Sequence, residues 1–245
     1  MSLIPKSHPR AKSLYIREKL VEGFDSGLVA KEGLMAHGRG ETFDYLLGEK
    51  TSRHAQKAIK AAAFMLSLAK YPVISVNGNV AALIPKEIVK LARITNSKIE
   101  VNLFYTNQKR KKNIVKILKK AGAKEVLGVK SWDSRGLSGI DSARRIVDRN
   151  GIYRADVVVI PLEDGDRTQA LKRAGKKVIT FDLNPLSRTA RTADITIVDN
   201  IVRSIDKLIL ECKKPQKKIP FNNKKNLAGM VLEIKRNLSR RMPNA

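Results

Sequence analysis

Ala155-Asp-Val-Val-Val-Ile-Pro-Leu-Glu-Asp-Gly-Asp-Arg-Thr168 is the stretch on which the fold turns. Its apolar run, Val157–Ile160, has no polar alternation, so it reads as a strand covered on both faces. Over the whole apolar stretch that strand spans Ala155–Pro161. Arg167–Ala174 then reads as a helix ended by Gly175. The cycle repeats at once, with a strand over Lys177–Asp182, another over Ala193–Val198 and a helix over Ile201–Glu211. Working upstream, Pro72–Val76 is a buried strand followed by a turn at Asn77-Gly78-Asn79. Pro85–Thr95 is a helix, Ile99–Phe104 a strand, Lys109–Ala121 a helix and Glu125–Val129 a strand. Strands and helices that alternate with short joins make a parallel sheet with helices on both faces. The expected class is therefore α/β, with a Rossmann-like core over residues 70–212.

The flanks read differently. Residues 1–69 are expected to form a helical N-terminal extension packed on that core. Leu14, Ile16, Leu20, Val21 and Phe24 make one stripe of a helix over Ser13–Phe24. Gly33–Glu41 is punctuated by three glycines and reads as a loop, with a short apolar piece at Phe43–Gly48. Thr51 is placed to cap a long helix through Ala69, which stops before Pro72 because the residue preceding proline avoids helix. Residues 130–150 lack clean periodicity and read as a long loop holding one helix, Ser142–Asp148. Residues 213–245 are a basic linker (Lys213–Lys225) and a closing helix (Asn226–Arg240).

Composition excludes several classes. One cysteine, Cys212, allows no internal disulfide and no Cys/His metal pattern. The longest apolar stretch, Ala61–Ala69, is far short of a membrane span, and the first twenty residues carry no signal-peptide core. A cytoplasmic protein without a membrane role is the expectation. Net charge is +26, and charge of that size attracts polyanions through counterion release. It is spread along the chain, with ten basic residues against one acidic in 213–245 and eleven against seven in 1–60. Aromatics make up only 5% of residues, and no base-reading motif is present. The charge is thus read as a secondary feature, with no specific nucleic-acid partner.

In open α/β sheets, ligands bind outside the carboxyl ends of the strands. Four stretches fall there: Asn77-Gly78-Asn79, Glu163–Thr168, Asp182–Thr189 and Asp199-Asn200. Gly78 and Gly165 allow close backbone approach. Asp164 and Asp166 suit Mg²⁺, a ribose or an amine, and Arg188 with Thr189 suits a phosphate. The N-terminal third adds Arg10 in Ser7-His-Pro-Arg10, then Arg17, and His37 and Arg39 among the glycines. No P-loop, no GxGxxG after a strand, no GxSxG and no HExxH is present. The residues alone support an enzyme for anionic ligands, nucleotide-dependent, with no protein-held metal set identified.

Taken in order, SHPR, AHGRGE–FDYLLGEKT, YPVISVNGN, EVNLF, ADVVVIPLEDGDRT and GKKVITFDLNPLSRTA–ADITIVDN resemble the archaeal 4-phosphopantoate–β-alanine ligases, or phosphopantothenate synthetases, across about residues 5–205. The resemblance implies a homodimeric, Rossmann-like enzyme of coenzyme A biosynthesis. It would join 4-phosphopantoate to β-alanine with ATP, through an acyl-adenylate, releasing AMP and pyrophosphate. Carried over by motif, ATP contacts fall on Arg17, Arg39, Asp182, Leu183, Asn184, Arg188, Thr189, Asn200 and Ile201. Arg10 and His37 are then expected near the phosphate or carboxylate of the acid, Asn77 and Asn79 position that acid, and Asp164 or Asp166 receives the β-alanine ammonium or Mg²⁺. Such a reaction needs two anions brought together and charge stabilised, and no protein nucleophile. No role is assigned to Glu100–Asn107 or to 130–142.

Overall fold

The computed structural model describes residues 4–5, 7–104, 107–129, 134–137 and 143–241, the side chain of the last excepted. Three helices lead in: α1 (Ala11–Asp25), α2 (Lys31–Leu47) and α3 (Arg53–Leu68). The order continues β1 (Pro72–Val76), α4 (Gly78–Leu83), α5 (Pro85–Ile94), β2 (Lys98–Val101) and α6 (Gln108–Lys120). After a two-stranded ribbon, β3 (Ser134–Gly136) and β4 (Ile146–Asp148), come β5 (Val157–Val159), α7 (Gly165–Arg173), β6 (Lys177–Phe181) and α8 (Arg188–Thr192). β7 (Ile195–Ile197), α9 (Ile201–Cys212) and α10 (Asn223–Arg241) close the described chain.

The main sheet has five strands in the order β2-β1-β5-β6-β7, and every pairing in it is parallel, as in Val73↔Val158 and Val158↔Val178. Alternate residues of the apolar runs serve two cores. Val157, Val159, Ile179 and Phe181 face one layer, which holds α3, α5 and α9. Val158, Ile160 and Val178 face the other, where Ala170 and Leu171 of α7 pack with Leu137 and Val147 of the β3–β4 ribbon. Covering on both sides is why these strands carry no polar alternation. The expected α/β class, with its parallel sheet, stands.

Several local expectations are corrected. The glycine-punctuated stretch Gly33–Glu41 is not a loop. It lies inside α2, which runs on through Phe43 to a left-handed Gly48 at its end (φ 82°). Asn77-Gly78-Asn79 is not a free turn but the start of α4, with the Asn77 side chain accepting from the Val80 amide. Ser52 rather than Thr51 caps α3, accepting from the Ala55 amide at 2.9 Å. Glu125–Val129 forms no strand; its one ladder contact is the single bridge Glu100↔Leu127. The expected helix over Ser142–Asp148 is, over the described residues, a single 3₁₀ turn (Ala143–Arg145) running into β4; Ser142 lies outside them. α10 begins at Asn223, shortening the expected linker.

Candidate functional site

From β1 the chain first moves to β2 on one side, then returns to build β5, β6 and β7 on the other. The carboxyl ends of β1 and β5 therefore flank the topological switch point, where such sheets open a crevice. Leu162 follows β5 with φ 54°, a left-handed conformation costly for a branched side chain. Asn77 holds it there. Its Nδ2 donates to both Pro161 and Leu162 carbonyls at 3.1 Å, while its Oδ1 caps α4. A Cβ at Gly78 would run into the Leu28 carbonyl, so only glycine starts this helix.

α2 lies across the carboxyl edge. Near its start, Asn79 Nδ2 donates to the Gly33 carbonyl at 2.8 Å, and a Cβ on Gly33 would fall inside the Asn79 amide. Midway, Arg39 acts electrostatically on Asp182 after β6, and Gly40 abuts Leu183. Near its end, Asp44 accepts from Asn200 Nδ2 (3.1 Å) and Arg203 (2.6 Å) after β7. From Gly33 to Asp44 a helix rises roughly 16 Å, and β1 to β7 spans about 14 Å. The match lets one helix roof the ends of four adjacent strands.

The inner stripe of that roof carries Gly33, His37, Gly40, Glu41 and Asp44, spaced for one helix face. His37 is half-buried, its Nε2 shut off from solvent without a protein partner among the described residues. Burial pushes its pKa below the ordinary imidazole value, with Glu41 pulling the other way, so the neutral ring is favoured. Glu41 is buried. Burial raises its pKa, but Arg17 at 2.8–3.2 Å and the Tyr45 hydroxyl at 2.7 Å outweigh that and hold it lowered. Arg10 reaches the same knot, donating to the Tyr45 hydroxyl at 2.7 Å. Arg39 is exposed and makes no ion pair among the described residues.

The loop after β6 is self-braced. Asp182 accepts from the Asn184 amide at 2.9 Å and from the Ser187 hydroxyl. Burial raises its pKa, and those bonds with Arg39 oppose the rise. Ser187 caps α8, Thr189 donates to the Glu163 carbonyl at 2.9 Å, and Arg188 pairs with Asp166 at 2.9 Å on the surface. Gly165 is required here, since its Cβ would sit 2.5 Å from the Arg188 Cβ. Asn200 caps α9 through the Val202 amide, which leaves Ile201 buried in its first turn.

Beneath the β5 end lies a buried ionic seat that the sequence reading passed over. Arg167 is fully buried and donates to Glu163 at 2.6 Å; Arg144 pairs with Glu163 and with Asp164 at 2.5 Å. Asp164 also caps α7 through the Arg167 amide. Burial draws both arginines down to about 10, so each stays charged at neutral pH. Glu100 completes the layer, accepting from the Asp148 and Ile152 amides, with burial raising it to about 7. The sequence did carry one signal for this seat, the i,i+4 spacing of Glu163 and Arg167.

Asn77, Asn79, Asp164, Asp182, Leu183, Arg188, Thr189, Asn200 and Ile201 thus gather at the carboxyl edge, with His37 and Arg39 over it. Arg10 and Arg17 reach from α1 and the residue before it to Tyr45 and Glu41 of α2, and Asp166 faces solvent. Among the described residues no group of three His, Cys, Asp or Glu side chains is set to hold a metal, and no helix is long and apolar enough to cross a membrane.

The fold defines an open, parallel α/β protein in which one helix lies across the carboxyl ends of the strands, the edge where such sheets bind ligands. Residues 54–238 match the family of phosphopantothenate/pantothenate synthetases, and the chain belongs to that family. It is 50% identical to the 4-phosphopantoate–β-alanine ligase of Thermococcus kodakarensis, over 97% of this chain and 94% of the relative. It is 58% identical to the ligase of that name from Thermococcus onnurineus, over 85% and 79%. With the Methanosarcina mazei ligase it shares 49% identity over 97% and 96%.

Proposed function

We propose that the protein joins 4-phosphopantoate to β-alanine, using ATP, to give 4′-phosphopantothenate for coenzyme A synthesis. The observation that supports the reading is the α2 roof, which carries over one sheet edge an arginine (Arg39) with no ion pair among the described residues and an imidazole (His37) whose buried Nε2 has no partner among them. ATP occupies the β6–β7 half, against Asp182–Asn184, Arg188, Thr189 and Asn200-Ile201, with Arg39 meeting its phosphates and Arg17 joining only on releasing Glu41. The acid lies toward β1 and β5, beside His37. Asn77 and Asn79 contribute through the backbone they fix, since their amides are engaged in holding Leu162 and α2.

The carboxylates near the crevice are committed: Asp164 to Arg144, Asp182 to Ser187, Asp166 to Arg188. Mg²⁺ fits best as a companion of the triphosphate, bound mainly by phosphate oxygens and water. In the proposed course the acid carboxylate attacks the α-phosphorus, pyrophosphate leaves, and the β-alanine amine displaces AMP from the mixed anhydride. The chain's part is to orient the two anions and offset their charge. A His37 ring kept neutral can accept the proton that the amine sheds. Exposed Leu68 on α3 and Leu210 on α9, two helices packed together, offer apolar surface for a homodimer in the cytoplasm.

The test is an ATP-consumption assay with 4-phosphopantoate and β-alanine that resolves AMP from ADP. AMP and pyrophosphate formed only with the acid present are expected. ADP and phosphate would replace the adenylate by an acyl phosphate, and no turnover by folded protein would overturn the assignment.

A further inference from the structure

A second concentration of charge lies away from the carboxyl edge, between the start of α3 and α10. A cavity of about 480 Å³ there is lined by Lys50, Arg53, His54, Glu233, Arg236 and Arg240. It is built by packing rather than left by a loose helix. Gly229 lets α10 close on the His54 ring, since a Cβ there would fall within the imidazole. Asn226 donates to the His54 carbonyl at 3.2 Å and Asn237 to the Leu46 carbonyl at 3.1 Å, clamping α10 on either side. Ser52 and Met230 meet below, at 3.2 Å.

Gly229, Glu233, Arg236, Asn237 and Arg240 fall at one helical spacing, so one face of α10 makes a whole wall. Lys50, Arg53 and His54 make the facing one. Among the described residues none of the four lysine and arginine side chains has a hydrogen bond or ion pair. Some cations elsewhere find carboxylates, as Arg203 does in Asp44 and Asp199 and Lys172 in Asp194; what marks these four is that they line one cavity from facing walls. With Glu233 the only acid, the lining carries three net positive charges. The amides of Arg53 and His54, first in α3, have no carbonyl to serve and add donors on the same side. Leu47, Leu183, Ala190, Val198, Leu227 and Met230 form an apolar cluster beside this cavity; its lining meets the carboxyl edge only at Thr51, which acts on Asp199, and its four cations stand apart from the residues gathered there.

We propose that this cavity binds a diphosphate or longer polyphosphate group. Two opposed cationic walls need an anion with charge at both ends, which pyrophosphate or a nucleotide's phosphates supply and a single phosphate does not. The proposal stands whether or not the ligase assignment holds, because it concerns residues outside that crevice.

Calorimetric titration of pyrophosphate into the full chain near 0.15 M salt tests it, beside Arg236→Ala/Arg240→Ala and Glu233→Gln. The double variant should lose one binding event or weaken it by at least ~10-fold, and Glu233→Gln should tighten it by ~3-fold. Loss and gain in opposite directions cannot both come from misfolding, and both proteins should keep full basal turnover. Inorganic phosphate should bind at least ~10-fold more weakly. ADP binding as tightly as pyrophosphate would extend support to a nucleoside diphosphate. Equal binding of phosphate and pyrophosphate, or variants indistinguishable from wild type, would overturn the proposal.

Discussion

Arg167 and Arg39 flank the same crevice and differ in every physical respect. Arg167 is fully buried, bound to Glu163 and surrounded by further charge from Arg144, Asp164 and Glu100. Arg39 is exposed on α2, with no ion pair among the described residues and Asp182 within electrostatic reach. Arg167 spends its Nη1 on Glu163 while its buried Nε and Nη2 have no hydrogen-bond partner among the described residues; sealed from solvent, it cannot reach a ligand, and removing it strands Glu163. An exposed guanidinium without a partner has a planar fork free for phosphate. Charge count alone does not separate framework from site; the degree of prior commitment does.

The largest effect that would break this contrast is on stability. Arg167→Met should cost about 3–5 kcal/mol, because Glu163 is left buried with less compensation, lowering Tm by roughly 10 °C. A thermal melt unchanged by the substitution would remove Arg167 from the framework. Arg39→Lys should do the reverse, leaving Tm within ~1 °C while lowering kcat/KM for ATP by about 10–100-fold. Unchanged turnover would remove Arg39 from the nucleotide site.

Glu100 sharpens the framework half through pH. Its carboxyl is raised to about 7 in the fold, above its unfolded value near 4.5. Between those values the folded chain holds a proton that the unfolded chain has lost. Its contribution to stability is therefore fullest below about pH 4.5 and declines by roughly 1.4 kcal/mol per pH unit up to about 7. Glu100→Gln should remove that slope from denaturation measured across the window; an unaltered slope would mean the carboxyl is ionised throughout. The smallest effect belongs to Asp166→Asn. Its pair with Arg188 is exposed on both sides, at 64% and 59%, so stability should change by less than ~0.5 kcal/mol in a urea titration.

The sheet is legible because Val157–Ile160, Pro72–Val76 and Val178–Phe181 are buried on both faces, and that environment writes largely apolar runs, broken only by Ser75 and Thr180. Strand-end positions follow from topology, which is why Asn77, Asp164, Asp182 and Asn200 are expected at the carboxyl edge and lie there. What those side chains do locally was less legible. Asn77, Asp164 and Asn200 each cap a helix, and a cap and a ligand contact call for the same residue types. α2 was misread because Gly33, Gly38 and Gly40 signal a loop, whereas Gly33 answers to the approach of Asn79, a partner 46 residues away. Ser142–Asp148 misled because Asp148 is anchored by distant groups, accepting from the Gly128 amide and donating its own to Glu100. Arg144 and Glu163 are likewise brought together only by the folded chain. Glu41 carried a local signal, four residues from both His37 and Tyr45, which the glycines obscured.

Those three glycines also fix how the roof behaves in time. Each costs a helix about 1 kcal/mol relative to alanine, so α2 has little tendency to stay wound by itself. Its order is lent by neighbours: Asn79, Asn200 and Arg203 toward its two ends, Arg17 at Glu41 and Asn237 of α10 at Leu46. No neighbour lies within 4 Å of where a Gly38 side chain would begin, so nothing in the packing forbids a stiffer residue there. The backbone amides of α2 are accordingly expected to exchange with solvent ahead of those of the five strands below, and hydrogen exchange that protects the two equally would show the helix held as firmly as the sheet.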